Sequence, residues 1–312
     1  MHKANQNIIS NRLLLAVAIL TIALIFTLAL SISQGAVPMS LSDIWQALWH
    51  KGDPLKQTIL WDLRMPRILA SMLVGAALGM SGALLQGMLR NSLASPFILG
   101  ISAGAGLVTV AMIVLELWTA WIPFAAWLGA IFTAITVIFL GRGQGGIRVE
   151  KLILGGVAVS SLLGALQSTL LLLAEDGRVQ QALNWLIGSL NGRGWNEVNV
   201  AAPYMLVALV AGCLLARWVN VLALGDDLAV GLGVSLVRSR ILIGAVATLL
   251  AAGAVSIAGL IGFVGLVVPH GVRLLVGTDY RLCLPLSALG GAWLLTFADL
   301  LSRLGAVELP VG

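Results

Sequence analysis

The stretch ILASMLVGAALGMSGALLQGM, residues 68–88, runs for 21 residues without a charged side chain. A membrane's hydrocarbon core is about 30 Å thick and is crossed by about 20 helical residues, so this stretch predicts a transmembrane helix. A helix or a closed barrel is needed to satisfy the backbone polar groups in lipid. The chain also contains 36 glycines, and small residues let membrane helices approach each other closely.

Eight further stretches have similar length and composition. Hydrophobic residues make up 59% of the chain and charged residues 10%, and the mean hydropathy is +1.02. These values exclude an ordinary soluble protein, in which about 25% of residues are charged. We therefore predict an all-α polytopic membrane protein, with residues 1–312 forming one transmembrane domain. The nine predicted spans are 13–33, 68–88, 97–117, 120–140, 152–174, 200–217, 240–257, 259–276 and 283–301.

Two of these spans have unusual features. The eighth contains Pro269, which breaks a regular helix, so we expect that span to be short or bent. The first follows Lys3 and Arg12 and so resembles a signal peptide, but its apolar run is longer than the usual core of such peptides. We interpret the first span as an uncleaved anchor.

The distribution of Lys and Arg predicts the orientation. With a cytoplasmic N-terminus, eleven of the 18 Lys and Arg residues lie on the cytoplasmic side and seven lie outside. The positive-inside rule therefore favours this orientation. The net charge of +5 belongs to the cytoplasmic face, which indicates contact with anionic lipid and no nucleic-acid partner.

The source of energy is predicted to be another polypeptide. An ion-coupled carrier normally has a carboxylate or histidine deep within a span, whereas Glu116 and Asp299 fall near predicted outer ends and His270 stands beside Pro269. The chain has no GxxxxGK[ST] phosphate-binding loop and no HExxH metal motif. We expect no catalytic activity, no metal and no cofactor in this chain, with ATP and Mg²⁺ bound by a partner ATPase. An ion-coupled secondary transporter is the alternative.

The longest predicted cytoplasmic loop is LALGDDLAVGLGVSLVRSR, residues 222–240. Asp226 and Asp227 indicate a helix start, because carboxylates cap free N–H groups and favour the positive end of the helix dipole. The predicted short helix covers 227–232 and ends at Gly233, and a second begins near Ser235. Such a compact loop could fit a groove of a cytoplasmic protein, or could be an ordinary amphipathic connector.

Several ordered motifs give the chain a specific resemblance from Arg64 onward. It resembles the permease subunits of type II ABC importers, the iron-siderophore, haem and cobalamin uptake family, and is most similar to those for ferric siderophores or ferric citrate. The motifs are RMPRILASMLVGAALGMSGALLQG (64–87), RNSLASPFILGISAGAG (90–106), LNWLIGSLNGRGW (183–195), LGDDLAVGLGV (224–234), GLIGFVGLVVPHGVRLLVG (259–277), DYRLCLPLSALGGAWLLTFADLLSR (279–303) and ELPVG (308–312).

The resemblance implies two partner-binding regions and a gate. It assigns the coupling loop that docks on a cytoplasmic ATPase dimer to Gly225, Asp226, Asp227, Ala229, Leu232 and Gly233. It assigns docking of a periplasmic or lipoprotein substrate-binding protein to Arg64, Arg67 and Arg303, at a partly exposed rim, although such arginines also anchor lipid headgroups. Trp185, Gly188 and Ser189 are candidates for the periplasmic gate, with Trp185 an interfacial anchor in the alternative interpretation.

The resemblance also implies a passage between two permease copies, or a copy and a paralogue, in the bacterial inner membrane. Family members continue beyond the ELPVG motif into a tenth span, whereas this sequence stops at Gly312. We therefore expect nine spans, with the tenth absent. An inactive, truncated paralogue that only dimerises is a further alternative.

Overall fold

The computed structural model describes residues 2–35, 37–143, 146–305 and 309–312. Helices dominate the described residues, and the one hairpin among them pairs two strands of two residues each, β1 (Arg142–Gly143) and β2 (Gly146–Ile147). The helices are α1 (His2–Ser33), α2 (Leu41–Leu48), α3 (Pro54–Thr58), α4 (Met65–Leu89), α5 (Ile101–Val114), α6 (Ile122–Leu140), α7 (Val149–Leu172), α8 (Asp176–Ile187), α9 (Trp195–Leu214), α10 (Ala216–Ala223), α11 (Asp226–Gly231), α12 (Leu236–Ala258), α13 (Val264–Val276) and α14 (Tyr280–Ser302).

Seven described helical segments are long and apolar enough to cross a membrane. They correspond to α1, α4, α6, α7, α9, α12 and α14, and α4 continues without a break from α3 through a π-helical turn at Ile59–Arg64. Each of these seven overlaps a predicted span. The structure is therefore a helical, polytopic membrane fold, while the prediction of a single domain remains a prediction.

The other two predicted spans, 97–117 and 259–276, are shorter as helices than the sequence suggested. Helix α5 has 14 residues and α13 has 13, and at 1.5 Å per residue each covers about 20 Å. Helix α5 begins late because a 3₁₀ turn at Pro96–Leu99 precedes it. Helix α13 begins late because residues 259–263 are not helical, so the expectation of a short eighth span is confirmed.

Helix α4 lies at the centre of the bundle, with 83% of its most apolar window buried. Its glycines contact neighbouring backbones directly. A Cβ atom added to Gly75 would lie 2.2 Å from the carbonyl oxygen of Gly291 in α14, and one added to Gly82 would lie 1.8 Å from that of Gly265 in α13. Any larger side chain at these positions would push the helices apart, so close backbone approach organises the bundle.

Hydrogen bonds between buried polar side chains and neighbouring helices reinforce this packing. The Ser81 hydroxyl donates to the Ala247 carbonyl of α12 over 2.7 Å, and the hydroxyls of Ser71 and Thr296 are 3.0 Å apart between α4 and α14. The Gln86 amide donates to the Gly265 carbonyl over 3.2 Å. Helix α4 is thereby bonded to α12, α13 and α14.

The connections between spans collect at two ends of the bundle. At the predicted inner end, Asn220 of α10 donates to Asp279 at the start of α14 over 2.6 Å. At the predicted outer end, the Trp195 indole donates to the Trp61 carbonyl over 2.8 Å, and the Ser189 N–H donates to the Ala258 carbonyl over 2.8 Å. A different partner is predicted to dock at each end, and the candidate docking sites lie among these connections.

We predict that Gly291→Ala lowers thermal stability, because the new methyl group would lie 2.1 Å from the Gly75 carbonyl oxygen. Overpacking of this kind costs about 1–3 kcal/mol. The matched control is Gly164→Ala in α7, where a Cβ meets nothing within 4 Å. Thermal unfolding of detergent-solubilised protein should show a lower Tm for the first variant alone, and equal Tm values would contradict the packing described.

Candidate functional site

The predicted coupling loop contains the short helix expected from its sequence. Helix α11 spans Asp226–Gly231, one residue earlier than the predicted 227–232. Gly225 precedes it at φ +115° and Gly233 follows it at φ +80°, conformations that side chains other than glycine rarely adopt. The two glycines therefore permit a turn of the backbone on each side of α11.

Two details of the predicted loop are wrong. The residue that caps α11 is Gly225, and no side chain caps this helix, because Asp226 turns toward another partner. No second short helix begins near Ser235. Instead, Ser235 is the N-cap of α12, which starts at Leu236 and continues through the bundle to Ala258.

The two aspartates of α11 have different surroundings. One Nη of Arg240 in α12 lies 2.7 and 2.9 Å from the two carboxylate oxygens of Asp226. Arg90, at the end of α4, lies 3.8 Å from the same carboxylate. Asp227 is exposed. Asp227 is therefore the more exposed of the pair, while the Asp226 side chain, 38% exposed, is engaged by Arg240.

An exposed apolar surface covers the outside of this loop. We define the α11 face as Leu224, Leu228, Val230 and Leu232, whose exposed fractions are 59%, 60%, 58% and 63%. Ala229, assigned to docking by the resemblance, is fully buried in the core. Leu224, Leu228 and Val230 were not selected from the sequence, because apolar residues at helical spacing normally indicate core positions.

At the predicted outer end, Arg67 and Arg303 come together around one buried carboxylate. Asp299 is fully buried, and its Oδ1 lies 2.9 Å from Nε and 2.8 Å from Nη2 of Arg67. Its Oδ2 lies 3.2 Å from Nη2 of Arg303. The guanidinium of Arg64 donates to the carbonyls of Ile32 and Val37.

The three arginines are therefore clustered, as their proposed common role requires, but not on the partly exposed rim that was expected. The side chains of Arg67 and Arg303 are 10% and 9% exposed, and Arg64 as a residue is 6% exposed. The buried Asp299 draws two of them inward, because a buried charge needs an opposite charge beside it. Their predicted role in docking stays a prediction.

These arginines line a cavity of about 550 Å³ together with Asp62 and a fourth arginine, Arg193. Arg193 lies in the loop between α8 and α9. The pKa of its guanidinium is lowered, because the effect of burial exceeds the opposing effect of the nearby Glu197. The sequence analysis did not select Arg193, because it lies more than a hundred residues from Arg64 and Arg67 and follows no span end directly. The cavity has the positive charge that an acidic group would need.

The predicted gate residues lie where α8 ends against the segment joining α12 and α13. Gly188 ends α8 at φ +83°, and a Cβ there would lie 2.6 Å from the Leu260 carbonyl oxygen. The neighbouring Ser189 is held by its hydrogen bond to Ala258. Trp185 is half-buried and packs on the core. The three residues thus sit at a junction of backbones, and their gating role is still a prediction.

The described residues contain no group of three or more His, Cys, Asp or Glu side chains that could hold a metal ion. His270, considered as a proton-relay candidate, is exposed on this chain. Asp299 is the carboxylate buried in a long span, and it is paired with two arginines.

A bundle of long apolar helices with a connector at one end and clustered arginines at the other defines a polytopic membrane protein. Residues 23–312 match the model of the FecCD transport family, and the chain belongs to that family. It is a transport subunit that spans the bacterial inner membrane several times.

Several characterised permeases are similar to most of the chain. A cobalamin import system permease protein, BtuC of Halobacterium salinarum, is 42% identical over 92% of this chain and 78% of its own length. An Fe(3+)-citrate import system permease protein, YfmD of Bacillus subtilis, is 38% identical over 100% and 93%. A solved inward-facing metal-chelate type ABC transporter is 30% identical, with a TM-score of 0.84 and coverage of 94% and 92%.

We predict that Asp299→Asn destabilises the protein, because it removes the buried anion that Arg67 and Arg303 contact. Removing one partner of a buried ion pair costs about 3–5 kcal/mol. The control is Asp62→Asn, which neutralises an exposed carboxylate at the same cavity. Thermal unfolding in detergent measures both, and an unchanged Tm for the Asp299 variant would show that the ion pairs do not hold this end together.

Proposed function

We propose that the chain forms the translocation passage of an ATP-driven importer of iron chelates, such as a ferric siderophore or ferric citrate. The cargo is supported by the relatives, which include permeases named for Fe(3+)-citrate, ferric enterobactin and hemin. In this proposal the chain has nine membrane crossings with a cytoplasmic N-terminus. It contributes no catalytic residue and no cofactor.

The observation that carries the proposal is the α11 face. A surface with Leu224, Leu228, Val230 and Leu232 about 60% exposed is unusual for a polar loop outside the membrane and indicates a protein partner. The partner in this proposal is a cytoplasmic ABC ATPase dimer, which binds ATP and Mg²⁺. Asp227 and the two glycines that bound α11 complete the docking surface.

At the opposite end, the arginine cavity is proposed to receive an external substrate-binding protein. A guanidinium binds a carboxylate with planar, paired hydrogen bonds, so Arg64, Arg67 and Arg303 suit acidic side chains of such a protein. Because these arginines lie inside a cavity, a docking carboxylate would have to enter it. The contact would set register and association rate more than affinity.

The passage itself is proposed to run along α7. Only 11% of the most apolar window of this helix is buried within the chain. Its uncovered surface includes the polar residues Ser161, Ser168 and Thr169, which are exposed. A neutral surface of this kind, facing a second permease copy or a paralogue, would let a bulky chelate pass without binding tightly.

We predict that the double variant Leu228→Ser/Leu232→Ser loses the ATPase. Each leucine should contribute about 1.5 kcal/mol on burial, so the pair weakens binding by about a hundredfold. Co-purification with a co-expressed cytoplasmic ABC ATPase, the partner in this proposal, measures the loss. The matched control is Leu115→Ser/Leu117→Ser, two exposed leucines at the predicted outer end. Equal recovery of the ATPase by both variants would remove the α11 face from the interface.

Uptake into proteoliposomes tests the transport reaction and its energy source. We expect entry of radioactive ferric citrate or ferric siderophore when the permease, its ATPase, its binding protein and ATP are all present. Collapsing the proton gradient should leave the rate unchanged. Uptake without the ATPase under a proton gradient would instead identify an ion-coupled carrier, and absence of uptake with all components would support the inactive paralogue.

A further inference from the structure

Arg240 is a cation buried at the inner end of α12, with a side chain that is only 3% exposed. It bonds two separate pieces of the chain at once. One Nη donates to the Asp226 carboxylate of α11, at 2.7 and 2.9 Å, and the other donates to the Ile147 carbonyl of β2 over 2.6 Å. Arg240 therefore joins α11 to the hairpin between α6 and α7.

The hairpin connects this contact to α7. Arg148 follows Ile147, and the Arg148 N–H donates to the Gly141 carbonyl over 3.1 Å. Helix α7 begins at the next residue, Val149. From Asp226 to the first residue of α7 there are thus two hydrogen-bonded steps and two peptide links. Helix α12, which carries Arg240, is mostly buried against the rest of the bundle.

A purely structural role for Asp226 would predict that its carboxylate caps the N-terminus of α11, which it does not. Asp226 starts a six-residue helix with no side-chain cap, although its own carboxylate stands at the N-terminal end where capping residues act. The carboxylate instead contacts an arginine buried in another helix. The Arg240 side chain is 3% exposed and the Asp226 side chain is 38% exposed. A charge-assisted hydrogen bond is short and directional, which suits the transfer of a displacement.

We infer that Arg240 is a positioning residue that couples movement of α11 to α7, so that Asp226 acts inside the permease and not at the ATPase surface. Displacement of α11 by the ATPase is carried through the Asp226 carboxylate and the Arg240 guanidinium to the Ile147 carbonyl. The base of α7 then moves with α11 as one body. This inference rests on the proposed function and adds the residue that links the docking surface to the passage.

Arg90 is the other cation near Asp226 and is a weaker candidate for the same role. Its Nη2 is 3.8 Å from the carboxylate and its side chain is 44% exposed. At that distance and exposure, solvent screens the attraction. Arg90 also ends α4 and makes no hydrogen bond or ion pair with the described residues of the hairpin, so it offers no connection to α7.

The test measures transport and ATP hydrolysis together in proteoliposomes that contain the permease, the ATPase and the binding protein. For Arg240→Gln and Asp226→Asn we expect ATPase recovery within about twofold of the unaltered protein and continued hydrolysis, but at least tenfold less substrate moved per ATP. Arg240→Lys keeps the charge and one reachable partner, so it should recover part of the coupling.

The matched control is Arg238→Gln, which removes an exposed arginine from the same turn of α12. It should transport as well as the unaltered protein. In the double variant Asp226→Asn/Arg240→Gln, the loss should equal that of either single variant, because both remove one shared contact. Losses that add up in the double variant would show that the residues act separately and would overturn the inference.

Two further outcomes separate this inference from the proposed function. If the Arg240 variant loses transport, ATPase recovery and thermal stability in parallel, the contact is structural and the inference is wrong while the importer stands. If the unaltered chain neither recruits an ATPase nor requires ATP for uptake, the proposed function itself fails. Transport per ATP unchanged in Arg240→Gln would also overturn the inference.

Discussion

The bundle depends on close contacts between the backbone of α4 and the backbones of its neighbours, which glycine residues make possible. Lipid offers no hydrophobic drive for helices to associate, so attraction between them must come from packing and hydrogen bonds. Glycine at 75 and 291 brings α4 and α14 together, and glycine at 82 and 265 brings α13 onto the same helix. Once the backbones are that close, Ser81 and Gln86 can reach carbonyls of neighbouring helices. The positions of both functional ends follow from this central helix.

The two ends of the bundle differ in which side chains are buried and which are exposed. At the predicted outer end a fully buried aspartate, Asp299, pairs with two arginines within the chain. At the predicted inner end leucines and a valine in and around α11 are exposed, while the Asp226 carboxylate beside them bonds to Arg240. One end thus offers a lined cavity and the other a raised apolar surface, which are suited to different kinds of partner.

The sequence predicted the long spans well, because twenty uncharged residues in a row have few alternatives to a membrane helix. It could not locate the starts of α5 and α13, since the 3₁₀ turn at 96–99 and the irregular segment at 259–263 are as apolar as the helices that follow. At the sites, the resemblance assigned Ala229 and Asp226 to docking, but the sequence could not show that Ala229 is buried or that Asp226 bonds to Arg240. Both features depend on Arg240 and on the core, which are distant in sequence.

The irregular backbone from Gly259 to Phe263 has a consequence for solvent. Non-helical backbone at membrane depth is tolerated where protein covers it or water reaches it. Here α8 shelters the beginning of the segment through Trp185 and Gly188, whereas Phe263 at its end is 78% exposed with a φ of +60°. The polar backbone groups of this segment therefore need cover from protein or contact with water, because lipid would leave them without hydrogen-bond partners.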